Sequence, residues 1–199
     1  MQRIAECDDG MNAIVICECS DTVTNALIER GVNAHSCDLK PSEHNSPNHF
    51  QCDFRDLDYT GIDLLIAHPD CTRLANSGVR WLHERPELWE DFLDAVRIFN
   101  LILDLDVPKI CVENPIHHKY ARQYIRKYDQ LIQPWQFGDM ESKATCLWLK
   151  GLSLLTPIIT QKPIGVKQSV WREAPSPERK TNRARTFKGI AQAMATQWG

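Results

Sequence analysis

The sequence predicts a doubly wound α/β domain, and three observations carry that expectation. Apolar runs of strand length recur along the chain, helical patterns separate them, and acidic or nucleophilic residues stand where the runs end. "NAIVIC" (12–17) is the first such run. "TNALIERG" (24–31) reads as a helix stopped by Gly31, because glycine takes the left-handed conformation that ends a helix without steric cost. "NAHSCDL" (33–39) is the next strand, and the three segments make a βαβ unit. "HNSPNHF" (44–50) is polar and reads as a loop, and "IDLLIAH" (62–68) reads as a buried strand. "PELWEDFLDAVRIFNLILDL" (86–105) opens with a proline and spaces its apolar residues along one helical face. "KICVEN" (109–114) is a strand and "KYARQYIRKY" (119–128) a helix. "LIQPWQFG" and "ATCLWLKG", joined by "DMESK", form an antiparallel hairpin. Residues 157–185 are rich in Pro, Lys and Arg and show no period. "TFKGIAQAMATQW" closes the chain as a helix with Thr186 as its N-cap.

At 199 residues, with 43% hydrophobic residues, the chain is long enough for one core and short for two, so residues 1–199 are expected to form one domain. No stretch approaches the roughly 18 uninterrupted apolar residues of a membrane span. The start, "MQRIAECDDG", has no apolar signal core, so a cytoplasmic protein without a membrane partner is expected. None of the eight cysteines forms a CxxC pair, and most lie in apolar, strand-like surroundings, which argues against a disulfide framework. Cys17, Cys19, His35 and Cys37 end adjacent strands but lack finger spacing, so no metal centre is expected. The net charge of -3 hides an asymmetry. Residues 119–199 hold 14 Lys and Arg against 5 Asp and Glu, a charge of +9, while the remainder holds 9 against 21, a charge of -12. The basic half is either a solvated face or a polyanion-binding surface.

In an open parallel sheet the ligand sits at the carboxyl ends of the strands, which directs attention to "CECSDTV", "CDLKP", "QCDF", "HPDCT" and "ENP". Glu18 and Asp38 are 20 residues apart, the separation at which an acidic residue ending the second strand reaches a ribose hydroxyl. Asp53 is placed to accept from an adenine amino group. The glycine-rich GxGxxG turn is absent, so a pyrophosphate has no cradle and an adenosine ligand without phosphates fits better. Cys71 on its own is a nucleophile or a buried filler. His117 and His118 read as surface side chains, and Trp81, Trp89 and Trp135 as core or rim aromatics.

Four stretches then occur in order: "HPDCTRLANSGVRWL", "VENP", "QFGD" leading to "SKATCLWLKGL", and "RTFKGIAQAMATQWG". On these the chain resembles the S-adenosylmethionine-dependent methyltransferases that modify carbon 5 of cytosine. More closely it is similar to their small, mostly phage or prophage type, which lacks a large target-recognition domain. The resemblance runs from about Ile14 to the C terminus. It implies a Rossmann-like methyltransferase fold with a C-terminal β-hairpin and closing helix, S-adenosylmethionine as cofactor and DNA as partner. It also implies that Cys71 adds to carbon 6 of the base, that Glu113 supports the ring from its Watson–Crick edge, and that Asn114 holds the loop. The cofactor would lie against Glu18, Ser20, Asp38, Asp53, His68 and Pro69, with Thr186 near its amino acid end. Lys143 would bring positive charge to the pocket, and Arg172, Arg179, Lys180, Arg183 and Arg185 would meet phosphates. With few side chains available to read base edges, sequence selectivity is expected to be short or absent. The family's turn has two prolines before the cysteine, whereas Asp70 follows Pro69 here. A carboxylate beside a thiol opposes its ionisation, so slowed or lost transfer is expected. Two other functions stay compatible: modification of a free cytosine nucleotide or single strand, and a catalytically silent module that binds the cofactor or nucleic acid.

Overall fold

The apolar runs pair into one seven-stranded sheet in the computed structural model, which describes residues 2–3, 10–172, 174, 176 and 179–199. Its strands are β1 (Asn12–Ile16), β2 (Asn33–Asp38), β3 (His49–Gln51), β4 (Leu64–Ala67), β5 (Lys109–Asn114), β6 (Gln130–Ile132) and β7 (Thr145–Lys150). They lie in the order β3-β2-β1-β4-β5-β7-β6, all parallel except β7, which runs antiparallel to both neighbours. The helices are α1 (Thr22–Ile28), α2 (Val79–Glu84), α3 (Leu88–Leu103), α4 (Ser169–Arg172), α5 (Arg179–Ala184) and α6 (Lys188–Trp198). This is a doubly wound, Rossmann-like arrangement, with β6 and β7 as the C-terminal antiparallel pair and α6 as the closing helix.

Both faces of the sheet are covered, which is why its central strands read as unbroken apolar runs. Ile14, Ile16, Leu65 and Ala67 point to one face and pack with Phe92, Val96, Phe99 and Ile102 of α3. Ala13, Val15, Leu64 and Ile66 point to the other and pack with Leu27 of α1 and Met194 and Trp198 of α6. The four α3 residues recur at helical spacing on one stripe. Burying each such side chain contributes about 1.5–3 kcal/mol. The chain leaves β1 toward β2 and β3 on one side, while β4 and β5 lie on the other. The crevice at this reversal opens at the carboxyl ends of β1 and β4.

Four sequence expectations differ from the structure. Residues 119–128 form only a 3-10 turn, Ala121–Gln123, because carbonyls a helix would use bond elsewhere. The Tyr124 carbonyl accepts from Asn100 Nδ2 at 3.1 Å and the Arg126 carbonyl from the Trp148 indole at 2.7 Å. The polar loop 44–50 runs into β3, where Ser36 Oγ and His49 Nδ1 meet at 2.8 Å across the pair with β2. In the hairpin only Gln130–Ile132 is extended on its first arm; Pro134–Phe137 is a 3-10 turn that Gln133 and Gln136 cap reciprocally. Finally, α6 starts at Lys188 with Phe187, not Thr186, at the N-cap. Asp139 Oδ2 accepts from the Gly189 N–H at 2.9 Å and caps the helix from across the fold. A Cβ on Gly189 would lie 2.1 Å from the Phe137 carbonyl oxygen, so only glycine allows this approach. Among the described residues no helix is long and apolar enough to cross a membrane.

Candidate active site

The turn after β4 is built around Asp70. Its Oδ1 accepts from the Thr72 N–H at 2.8 Å and from the Thr72 hydroxyl, and the Leu74 and Ala75 N–H groups then donate to the Cys71 carbonyl. Gly78 folds back on this turn; a Cβ there would lie 2.2 Å from the Thr72 carbonyl oxygen. Cys71 is thereby held half-buried at the carboxyl end of β4.

Glu113 and Asn114 end β5, the neighbouring strand, and both are buried. Two contacts tie the turns together across 45 residues of sequence. His68 Nδ1 lies 3.0 Å from Glu113 Oε2, and Asn114 Nδ2 donates to the Pro69 carbonyl at 2.8 Å. The segment before α6 closes over the same place. Thr186 Oγ1 lies 3.5 Å from His68 Nδ1, and Lys143 Nζ donates to the Arg183 carbonyl at 2.9 Å.

Electrostatics follow from this packing. Burial pushes the Cys71 thiol up, the Asp70 and Glu113 charges push it further, and Lys143 opposes them. Burial also pushes the Glu113 carboxyl up, but the His68 hydrogen bond and the Lys143 charge outweigh it and hold the group below its ordinary value. Lys143 is therefore felt by both groups.

The expected cofactor residues sort into two kinds. Glu18 is buried and caps α1: Oε1 accepts from the Val23 N–H at 2.8 Å, and Oε2 from the Thr24 N–H at 3.1 Å and hydroxyl at 2.7 Å. Its carboxylate builds the turn, where the sequence reading had set it against the ligand. Ser20 Oγ joins this group, 3.0 Å from Thr22 Oγ1. Asp38 and Asp53 instead stand at the rim. Asp38 Oδ1 accepts from the Lys40 N–H at 2.9 Å. Asp53 is bound by Arg55 Nε at 2.9 Å and Nη2 at 2.5 Å, which holds its carboxyl below the usual range. Cys17, at φ 59° just after β1, reports their convergence. Its thiol is pushed up to about 12, first by burial and then by Asp38, Asp53 and Asp70. The ends of β2, β3 and β4 thus surround the end of β1 with carboxylates.

This charge pattern tests the cofactor. The first amides of α1 are taken by the buried Glu18 carboxylate, so a diphosphate would meet an anion where a dinucleotide fold offers donors. A sulfonium with a free amino group meets attraction instead, and the residues present fit S-adenosylmethionine. Among the described residues no group of three or more His, Cys, Asp or Glu side chains is placed to hold a metal ion.

Several side chains fall elsewhere than expected. His117 and His118 are buried, not superficial: His117 stacks on Trp148 at 4.6 Å and meets Asn114 Oδ1 at 3.2 Å, while His118 Nε2 meets the Arg73 carbonyl at 2.8 Å. The signal was available in their place directly behind a buried strand end. Trp81 is half-buried under the Arg80 and Arg85 guanidiniums, and Trp89 sits edge-on to Phe92 and Tyr120. Of the basic stretch, the Arg172 and Lys180 side chains lie outside the described residues. Arg179 and Arg183 are half-buried, and Arg185 Nη2 pairs with Glu43 Oε2 at 2.6 Å.

The inverted β7 and the strand ends gathered at the β1/β4 crevice define a doubly wound, Rossmann-like α/β fold. Among solved structures the chain is similar to the crystal structure of the S. pombe Dnmt2 methyltransferase, at 16% identity and a TM-score of 0.47. The match covers 81% of this chain, which spans 59% of the length of that one. No protein-family model and no curated protein matches the chain.

Proposed function

We propose that the protein transfers a methyl group from S-adenosylmethionine to carbon 5 of cytosine in DNA, through a covalent bond to Cys71, in the cytoplasm. The observation that carries this reading is the tie between the β4 and β5 turns, which sets Cys71 and the Glu113 carboxylate in one buried locus. The motif order fits the small, mostly phage or prophage type of the family.

Bound S-adenosylmethionine supplies a methyl on a positively charged sulfur. The chain's residues make the base able to attack it. The Cys71 sulfur bonds to carbon 6 of the ring as the double bond between carbons 5 and 6 shifts toward carbon 4, and the thiol proton ends on ring nitrogen 3. Glu113, an acceptor when ionised, takes the hydrogen bond from that N–H and stabilises the adduct. After transfer, the proton on carbon 5 leaves to a solvent base, the ring double bond re-forms, and the sulfur departs as the proton on ring nitrogen 3 returns to it. Because free thiolate is scarce at a raised thiol, the sulfur loses its proton as it adds, and Lys143 offsets part of the charge. Asp38, Asp53, Ser20, Pro69 and Thr186 line the cofactor, with Glu18 acting through the turn it caps. The basic residues Arg172, Arg179, Lys180, Arg183 and Arg185 meet the phosphates, and short or absent sequence selectivity follows from the few side chains left to read base edges.

The test is incubation with methyl-labelled S-adenosylmethionine and DNA, followed by nucleoside analysis; labelled 5-methylcytosine is expected. Label found only in single strands or free cytosine nucleotide moves the substrate, and its absence from all three overturns the enzyme reading. DNA carrying 5-fluorocytosine should trap a covalent adduct on the parent and none on Cys71→Ser. Asp38→Ala should weaken cofactor binding by about 1–3 kcal/mol through lost ribose hydrogen bonds. A second reading is favoured by Asp70, whose charge opposes the thiolate: a catalytically silent module that binds the cofactor and forms no adduct.

A further inference from the structure

We propose that His68 is a positioning residue for Glu113 and not a wall of the cofactor site: its Nδ1–H donates to Glu113 Oε2 and leaves Oε1 aimed at the base. The inference rests on the cytosine reading above for its consequence, though the pairing itself can be measured without any substrate.

Four observations converge on it. His68 Nδ1 lies 3.0 Å from Glu113 Oε2, and both side chains are more than nine-tenths buried. A carboxylate can only accept, so the shared proton belongs to the imidazole and His68 is held with its proton on Nδ1. Its Nε2 is buried and has no hydrogen-bond partner among the described residues. The backbone that carries the ring is fixed, since the His68 backbone N–H bonds to the Ile16 carbonyl at 3.1 Å, and Thr186 Oγ1 flanks Nδ1 at 3.5 Å. The backbone on either side is fixed as well, since Asn114 Nδ2 holds the Pro69 carbonyl.

The consequence concerns which form of Glu113 meets the substrate. The groups that act on it are His68 from the turn after β4 and Lys143 from the segment before β7, while Cys71, Cys111 on β5 and Cys146 on β7 are neighbours whose thiols its charge pushes up. Among the described residues, His68 and Lys143 favour the anion, and His68 alone bonds to the carboxylate directly. Removing the imidazole therefore leaves a buried carboxylate opposed by burial and held by one cation. The carboxyl should titrate at higher pH, and below that point it would offer a proton to the base in place of accepting one.

The experiment is carboxyl NMR on protein with labelled glutamate, with the Glu113 signal identified by its loss in Glu113→Gln. The parent signal should titrate below the ordinary glutamate range and move up by at least one pH unit in His68→Ala. It should return most of the way in His68→Asn, because the Asn Nδ2 donor stands the same number of bonds from Cβ as the imidazole Nδ1. Nitrogen NMR of the parent, which needs no variant, should show a His68 proton on Nδ1. An Nδ1 without a proton, or a Glu113 titration that stays fixed while His68→Ala weakens calorimetric binding of S-adenosylmethionine tenfold, overturns the proposal and returns His68 to the cofactor wall. If methyl transfer to cytosine is found, the acidic limb of its rate profile should rise with the Glu113 titration in His68→Ala and be rescued in His68→Asn. If no transfer is found while the NMR results hold, the cytosine reading fails and the pairing stands.

Discussion

Cys71 illustrates how a single residue's chemistry depends on its immediate neighbours. Asp70 raises the thiol by its charge, yet the same carboxylate accepts from Thr72 and shapes the turn that presents the sulfur. Charge and shape can be separated, because asparagine keeps the Oδ1 acceptor and drops the charge. Asp70→Asn is therefore expected to raise the methyl-transfer rate several-fold at neutral pH, with the gain shrinking as pH rises toward the parent thiol's value. Parallel pH–rate profiles for the two proteins would refute the electrostatic role. His117 gives a second residue-scale prediction, on stability. Burial, with a smaller push from His118, holds its imidazole down to about 4, whereas in the unfolded chain it titrates near its ordinary value of about 6.5. Between those values the unfolded chain binds a proton that the folded one refuses, so stability falls as pH drops through this window, by on the order of 2 kcal/mol. Urea titrations at neutral pH and near pH 4.5 should show the loss in the parent and a smaller one in His117→Phe, which keeps a ring on Trp148.

Among the elements, α1 and α6 owe their starts to side chains that are distant in sequence or lie outside the helix. Glu18 satisfies the first amides of α1, so Glu18→Ala would leave buried donors unpaired and should cost about 2 kcal/mol. The urea midpoint should fall with the slope unchanged; an unmoved midpoint would mean that water replaces the cap. At α6, alanine in place of Gly189 ordinarily favours a helix by about 1 kcal/mol, but here its Cβ would meet the Phe137 carbonyl at 2.1 Å. Gly189→Ala should therefore lower the melting temperature, and a rise would show that the Asp139 contact is loose. The element scale also shows where sequence reading works. The β5 run 109–114 matches its strand end to end, because the apolar stretch Ile110–Val112 at its centre marks a buried strand whatever its partners. Residues 119–128 misled because one apolar face suggests a helix locally, while Asn100 and Trp148, from other elements, take the carbonyls.

For the whole molecule, the division into an acidic part and a basic part is the feature most exposed to test. If the basic part meets nucleic acid, log affinity should fall against log salt with a slope of about -0.9 for each duplex phosphate neutralised. Arg179→Glu and Arg183→Glu should weaken binding to all sequences alike. Arg185→Glu should matter less, since Arg185 is already paired with Glu43. A flat salt response would leave the basic part as solvated surface. The segment before α6 meets Lys143 through the Arg183 carbonyl and His68 through Thr186, so part of the basic half borders the candidate site.

The sequence alone determined the class of fold and the types of residue at the strand ends. Period, apolar runs and turn residues are properties each short segment carries with it, and Cys71, Glu113 and Asn114 stand where strand ends and motif order put them. Only the tertiary structure decided what those residues do to one another. Glu18 turned inward to cap α1, His117 and His118 went under the sheet's end, and His68 met Glu113 across 45 residues and Thr186 across 118. Such partners are chosen by strand order and by which loops close over the crevice, and no local pattern encodes that order, because a strand looks the same whichever neighbour it pairs with.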